Sequence, residues 1–142
     1  MSNARIIDGK EISARVRNSL IPRIEYLAKK GIVPGLAVVL IGDDSASKVY
    51  VNMKSKAFGS MRLISETIKL PADIDQESVL SLINDLNINE KFHGILLQLP
   101  IPKHLDSMEI LQAVDPDKDA DGLHPTNMGR MLLGIDCPLP CT

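Results

Sequence analysis

Cysteine is scarce in this sequence: only Cys137 and Cys141 occur among 142 residues, both within the last six positions and with prolines between them. That is too few for a disulfide scaffold or a four-ligand zinc site, so no structural metal is expected. Long hydrophobic runs are missing too. The longest, such as Leu36 to Ile41, fall far short of the roughly 20 residues that span a bilayer. Arg5, Asp8, Lys10 and Glu11 break up any signal-peptide core at the start, so cytoplasmic residence is expected. No block of Lys or Arg exists, and the net charge is -2. This excludes the electrostatic footprint of a nucleic-acid or anionic-membrane binder and leaves a small molecule as the default partner. Ser2-Asn3-Ala4 is assigned no function.

What is present fits one globular domain over residues 1–142, with 44% apolar and 24% charged residues and no room for a second full domain. Asp8 followed by Glu11 resembles a capping box. Ile12, Val16, Leu20, Ile24 and Leu27 then recur at helical spacing up to Gly31, predicting a long first helix with a kink or break at Pro22. Leu36 to Ile41, between Pro34-Gly35 and Gly42, predicts a strand buried on both faces of a parallel sheet. Leu63 to Leu70 alternates as a second strand, and a helix from about Asp75 to Asn87 follows through Val79, Leu82, Ile83 and Leu86. Gly94 to Leu99 is the third strand, closed by Pro100 and Pro102. A short helix through Met108, Ile110, Leu111 and Val114 leads into a polar loop from Asp115 to Pro125. The order predicts a three-layer α/β/α domain with a mostly parallel sheet. Ligands of such sheets sit beyond the carboxyl ends of the strands, which singles out Ile41 to Ser47, Gln98 to Pro102 and the acidic loop.

Between the first two strands, Ser45 to Phe58 reads as a helix with Asp44 or Ser45 as N-cap. Ala46, Val49, Met53 and Ala57 share one arc and are the expected core stripe; Lys48, Asn52, Ser55 and Lys56 form the expected solvated face. Ser47, Tyr50 and Lys54 make a third stripe that starts at the mouth of the sheet. Tyr50 and Lys54, four apart, stand one above the other. They read either as boundary residues that snorkel or as an aromatic face beside an amine, suited to a flat heterocycle. Gln98, an amide at a strand end before a proline-bounded turn, reads either as structural or as a ligand-orienting group.

The loop from Asp115 to Gly122 matches the start of an EF-hand counted from Asp117, but its twelfth position is Met128 where a Glu is required, and Pro125 intervenes. Calcium is therefore set aside. A solvated acidic turn and a turn with one or two carboxylates facing a ligand both remain. Gly42 to Lys48 lacks the second glycine of a Walker loop, and His93, His104 and His124 lack metal-ligand spacing, so these histidines are expected to be structural or at the surface.

Five stretches together resemble the methylenetetrahydrofolate dehydrogenase/cyclohydrolase family, in order and spacing across nearly the whole chain. They are Pro34 to Gly42, Ser45 to Ala57, Gly94 to Pro102, Pro116 to Gly122 and Pro140-Cys-Thr142. The resemblance implies the folate-binding catalytic domain of a bifunctional enzyme of one-carbon metabolism and purine biosynthesis. Tyr50 would pack on the folate rings, Lys54 would be the central catalytic group and Gln98 would position it. Asp121 would hold the pterin, and Ser47, Leu99 and Pro100 would line the site. A carboxylate suits a pterin because it accepts two adjacent N–H groups at once.

The resemblance further implies NADP, or NAD, bound through a Rossmann domain absent from this chain, and a homodimer for the full-length family. No glycine here forms a G-x-G-x-x-G. Where the family usually has a Gly after the catalytic helix, this sequence has Arg62, so an earlier or altered helix end is expected. A folate-binding or assembly module without turnover is an alternative reading. A substrate-domain relative of the amino-acid dehydrogenases is another.

Overall fold

The computed structural model describes residues 6–140. Ser2-Asn3-Ala4, and Cys141 and Thr142 of the Pro-Cys-Thr motif, lie outside the described residues. The chain forms two compact units, Met1–Val33 and Pro34–Thr142.

The first unit is essentially one helix, α1 (Gly9–Lys29). Asp8 caps it by accepting the N–H groups of Lys10 and Glu11 at 2.9 and 3.2 Å. The break expected at Pro22 does not occur, and the helix runs through it. Proline removes one donor and frees the carbonyl four residues earlier, but both Asn18 and Pro22 are exposed, so water can satisfy what is lost.

The second unit is built on β1 (Gly35–Ile41), α2 (Ser45–Ser60), β2 (Ile64–Leu70), α3 (Gln76–Ile88), β3 (Gly94–Leu97), α4 (Ser107–Ala113) and α5 (Pro125–Leu132). The three strands are parallel in the order β2-β1-β3. All seven residues of β1 are buried, as its unbroken apolar run predicts. Ala37, Val39 and Ile41 point to one face, where Val79, Ile83 and Leu86 of α3 and Ile110 of α4 complete the larger core. Leu36 and Val38 point to the other, against Val51 and Phe58 of α2 and Leu96 of β3. Helices thus cover both faces, and the expected three layers are present. Each fully buried Val, Leu or Ile contributes about 1.5–3 kcal/mol by leaving water.

Boundaries differ in three places. β2 starts at Ile64 rather than Leu63, and β3 ends at Leu97 rather than Leu99 because the segment turns toward Pro100. The expected polar loop is interrupted by a bridge between Ile95 and Asp119 and runs into α5, which the sequence reading does not anticipate. Aspartates cap α2, α3 and α4 just as Asp8 caps α1. The N–H of Ser47 holds the Asp44 carboxyl below its usual 3.8, and that of Ser78 does the same for Asp75. Their contribution to stability is fully present above 3.8 and is lost as pH falls through the lower folded values.

The core stripe expected for α2 is wrong. Val49 and Met53 are 58% and 62% exposed, while Ser47 and Val51 are buried and Phe58 packs into the core. The sheet presents Leu36, Val38 and Leu96 in a small patch that Val51 and Phe58 fill, so the helix turns its other stripe outward.

The helix end is also informative. α2 closes as a Schellman motif, with Arg62 N–H donating to the Gly59 carbonyl at 3.1 Å and Leu63 N–H to the Phe58 carbonyl at 3.0 Å. This geometry puts Arg62 at φ 59°, the left-handed region. The helix therefore ends at the position the family pattern marks, with Arg in a conformation that suits glycine. Relief of that strain predicts that Arg62→Gly stabilises the chain by about 1 kcal/mol, read as a rise in Tm of a few degrees in thermal denaturation.

Candidate active site at the carboxyl edge of the sheet

Three parallel strands bring their carboxyl ends to one edge, and the candidate side chains come to it from three segments: α2, the turn after β3 and the acidic loop. Gln98 follows β3 directly and keeps its ladder bond, its N–H donating to the Val39 carbonyl at 2.9 Å. Two residues beyond Leu96, it shares the α2 side of the sheet. Its side-chain Nε2 donates to the Leu99 carbonyl at 2.8 Å, which fixes the amide and leaves Oε1 free. Lys54 of α2 fills that vacancy: its Nζ donates to Gln98 Oε1 at 3.4 Å. The contact is long for a hydrogen bond, and it joins an amine to a neutral acceptor rather than to a carboxylate.

Tyr50 lies one helical turn before Lys54 and is 60% exposed, so its ring face is open. Leu99 is 38% exposed, and Pro100, joined to it by a cis peptide bond, is exposed as well. Ser47 stands apart from these. It is 2% exposed, buried under the first turn of α2, with its N–H held by Asp44 Oδ2 at 2.7 Å.

Asp121 enters from the acidic loop. Burial pushes its carboxyl above the usual 3.8; the Lys54 ammonium pulls it back, and the negative charge of Asp119 pushes it up again. The electrostatic reach of Lys54 to Asp121 links α2 to the loop, as its contact with Gln98 links α2 to β3. An amine, an amide and a carboxylate, separated by up to 67 positions in sequence, thus share one edge with an open phenol beside them.

The loop that carries Asp121 is neither a solvated turn nor a cation loop in its internal bonding. Ile95 N–H donates to the Lys118 carbonyl at 2.7 Å, and Ala120 N–H to the Ile95 carbonyl at 3.1 Å, so the loop runs beside β3. Asp119 is 5% exposed and its Oδ2 accepts from His124 N–H at 2.8 Å and Asn127 Nδ2 at 3.0 Å. Gly122 is left-handed at φ 68°. A Cβ there would lie 2.7 Å from the Pro138 carbonyl oxygen and 2.8 Å from Pro140 N, so only glycine lets the tail pass so close.

The histidines serve the scaffold. His93 Nδ1 accepts from Gly35 N–H at 3.1 Å, His104 Nε2 meets the Ile74 carbonyl at 2.8 Å and His124 caps α5. The sequence reading misses Asp119, Asn127 and α5. A readable signal existed in His124-Pro125, a capping residue followed by proline at the first helical position.

These features have counterparts. The model of the tetrahydrofolate dehydrogenase/cyclohydrolase catalytic domain matches residues 7–121. The bifunctional protein FolD of Geotalea uraniireducens is 50% identical over 139 residues, covering 98% of this chain and 50% of that protein. The crystal structure of the bifunctional FolD methylenetetrahydrofolate dehydrogenase/cyclohydrolase from Campylobacter jejuni is similar at a TM-score of 0.91 and 42% identity, over 94% of this chain and 48% of that one. The methylenetetrahydrofolate dehydrogenase-cyclohydrolase of Trypanosoma brucei, solved with NADP cofactor and inhibitor, is similar at 0.86 and 34% identity, over 92% and 45%. This chain, which spans about half the length of the curated relatives it matches, belongs to the tetrahydrofolate dehydrogenase/cyclohydrolase family.

Proposed function

We propose that this chain supplies the folate site of a cytoplasmic enzyme that oxidises methylenetetrahydrofolate to methenyltetrahydrofolate and hydrolyses the latter to formyltetrahydrofolate, in the one-carbon supply to purine biosynthesis. The observation that supports this most is the pairing of Lys54 with a neutral amide while a half-buried carboxylate lies within its field. The methenyl substrate is a delocalised cation attacked by water at its bridging carbon. As water adds, the electron pair of the C–N π bond returns to nitrogen and the water gives up a proton. The adduct then opens by breaking one C–N bond, whose nitrogen takes up a proton, which leaves the formyl group, and Lys54 is placed to relay that proton. Gln98 holds Lys54 by accepting from it as a neutral partner. Tyr50 offers its exposed ring to the flat folate, between Lys54 and solvent. Asp121 accepts two adjacent pterin N–H groups, and Leu99 and Pro100 form the wall behind, with Ser47 buried beneath the first turn of α2 rather than at the surface of the site.

The oxidation half requires a nicotinamide, which supplies a hydride acceptor when bound. The strand-turn-helix at the end of β1 does not fit a dinucleotide: Asp43 and Asp44 occupy the start of α2, where a pyrophosphate would need bare N–H groups. No step on this chain is derived through that cofactor. NADP, carried by a further domain of the whole protein, and a homodimer of that protein belong to the same reading. The exposed Tyr50, Met53 and Leu99 leave the site open, which favours a binding module as the second reading for the isolated chain.

A cyclohydrolase assay with methenyltetrahydrofolate separates the two. Turnover that falls about 10²- to 10⁴-fold in Lys54→Ala, with folate affinity nearly kept, supports the enzyme. Equal binding with no turnover in either protein supports the module, and no folate binding by wild type rejects both.

Asp121 gives a second test, with a defined sign. Its folded pKa is raised, so the stability it contributes is fully present below 3.8 and lost as pH rises through the folded value. Asp121→Asn is therefore expected to melt higher than wild type at neutral pH, with the gap closing in acid. The same variant should bind reduced folate at least about tenfold more weakly, because one carboxylate oxygen acceptor is replaced by an amide donor facing a donor.

A further inference from the structure

The buried network behind the acidic loop is not used by the mechanism above, and its centre is a charge. Asp119 is almost fully buried, two residues before Asp121. Its backbone is bridged to Ile95 on β3, three residues before Gln98. Its carboxylate accepts from the His124 backbone N–H and from the Asn127 side-chain Nδ2 through one oxygen, Oδ2. Asn127, itself fully buried, is held in turn: its Nδ2 also donates to the Pro116 carbonyl at 2.8 Å, and its Oδ1 accepts from Arg130 at 3.4 Å. Arg130 pairs with Asp117 at 3.5 Å and not with Asp119. A carboxylate kept out of water without a cationic partner is costly, and an amide would make both Oδ2 contacts as well. The contacts alone therefore do not explain why this residue is an acid.

We propose that Asp119 is a positioning residue for the folate site: it fastens the acidic loop to β3 and α5 so that Asp121 faces Lys54. The proposal rests on the folate reading for its biological meaning but not for its physical test. The charged groups that act on Asp121 are Lys54 from α2 and Asp119 from its own loop, while β3 contributes the neutral Gln98. Lys54 favours the ionised form of Asp121 and Asp119 the protonated form, so Asp119 offsets the pull of the amine on Asp121.

Two substitutions separate the geometric part from the electrostatic part. In Asp119→Asn the amide oxygen can replace Oδ2 in both hydrogen bonds, so only the charge is removed. In Asp119→Ala both bonds are lost. Carboxyl carbon NMR of the whole chain without ligand should place the Asp121 midpoint lower in Asp119→Asn than in wild type, with the His124 and Asn127 backbone amide signals in place.

Affinity for methenyltetrahydrofolate should fall about tenfold in Asp119→Ala and recover to within about threefold in Asp119→Asn at neutral pH. Equal Asp121 midpoints in wild type and Asp119→Asn overturn the electrostatic part. Wild-type affinity in Asp119→Ala overturns the positioning part. If wild type binds no folate, the function reading fails while the titration still decides whether Asp119 acts on Asp121.

Discussion

β1 has no wet face, and the arrangement of the second unit follows from that. A strand of seven buried residues needs neighbours on both edges and cover above and below. Parallel partners supply the edges, and each parallel connection must cross over the sheet, which is how α2 and α3 come to cover opposite faces. Parallel strands also end on the same side. Gln98, the start of α2 and the acidic loop therefore meet at one edge because a run of Gly, Leu, Ala, Val, Val, Leu and Ile cannot be left in contact with water.

How much of this was legible depends on whether a signal was local. The run Leu36 to Ile41, the aspartate caps and the strand end at Gln98 are written in adjacent residues, and the elements follow within a residue or two. The face that α2 buries is not local. Its apolar arc of Val49 and Met53 is a fair core stripe in isolation, yet the sheet below offers a small patch that Val51 and Phe58 match, and Ser47 is buried as well. The consequence is functional as well as structural, since the rotation brings Lys54 inward to Gln98 and leaves Tyr50 in the open.

The acidic loop shows the complementary failure. Read along the chain, Asp115, Asp117, Asp119 and Asp121 are equivalent carboxylates at alternate positions. In space they diverge: Asp117 meets Arg130, Asp119 is buried against α5, and Asp121 lies half-buried in the field of Lys54. What separates them is the single bridge between Ile95 and Asp119, which sets the register of the loop against β3. A contact between residues 24 positions apart cannot be read from periodicity, and neither could α5, whose buried face is the amide of Asn127 rather than an apolar stripe.

Seen together, the site is a balance of charges on a rigid frame. Among the described residues Lys54 meets no carboxylate within hydrogen-bond distance, only Gln98 at 3.4 Å, with Asp121 farther off. A direct Lys–Asp pair in a half-buried site would be stronger, and it would also hold the amine as an ammonium and the carboxylate as an acceptor for it alone. Keeping a neutral amide between amine and sheet, and a second acid behind the first, leaves both groups free to meet a ligand. On the proposed folate reading, the exposed phenol of Tyr50 would complete a surface for a flat, proton-donating heterocycle, at distances set by the frame rather than by the ligand.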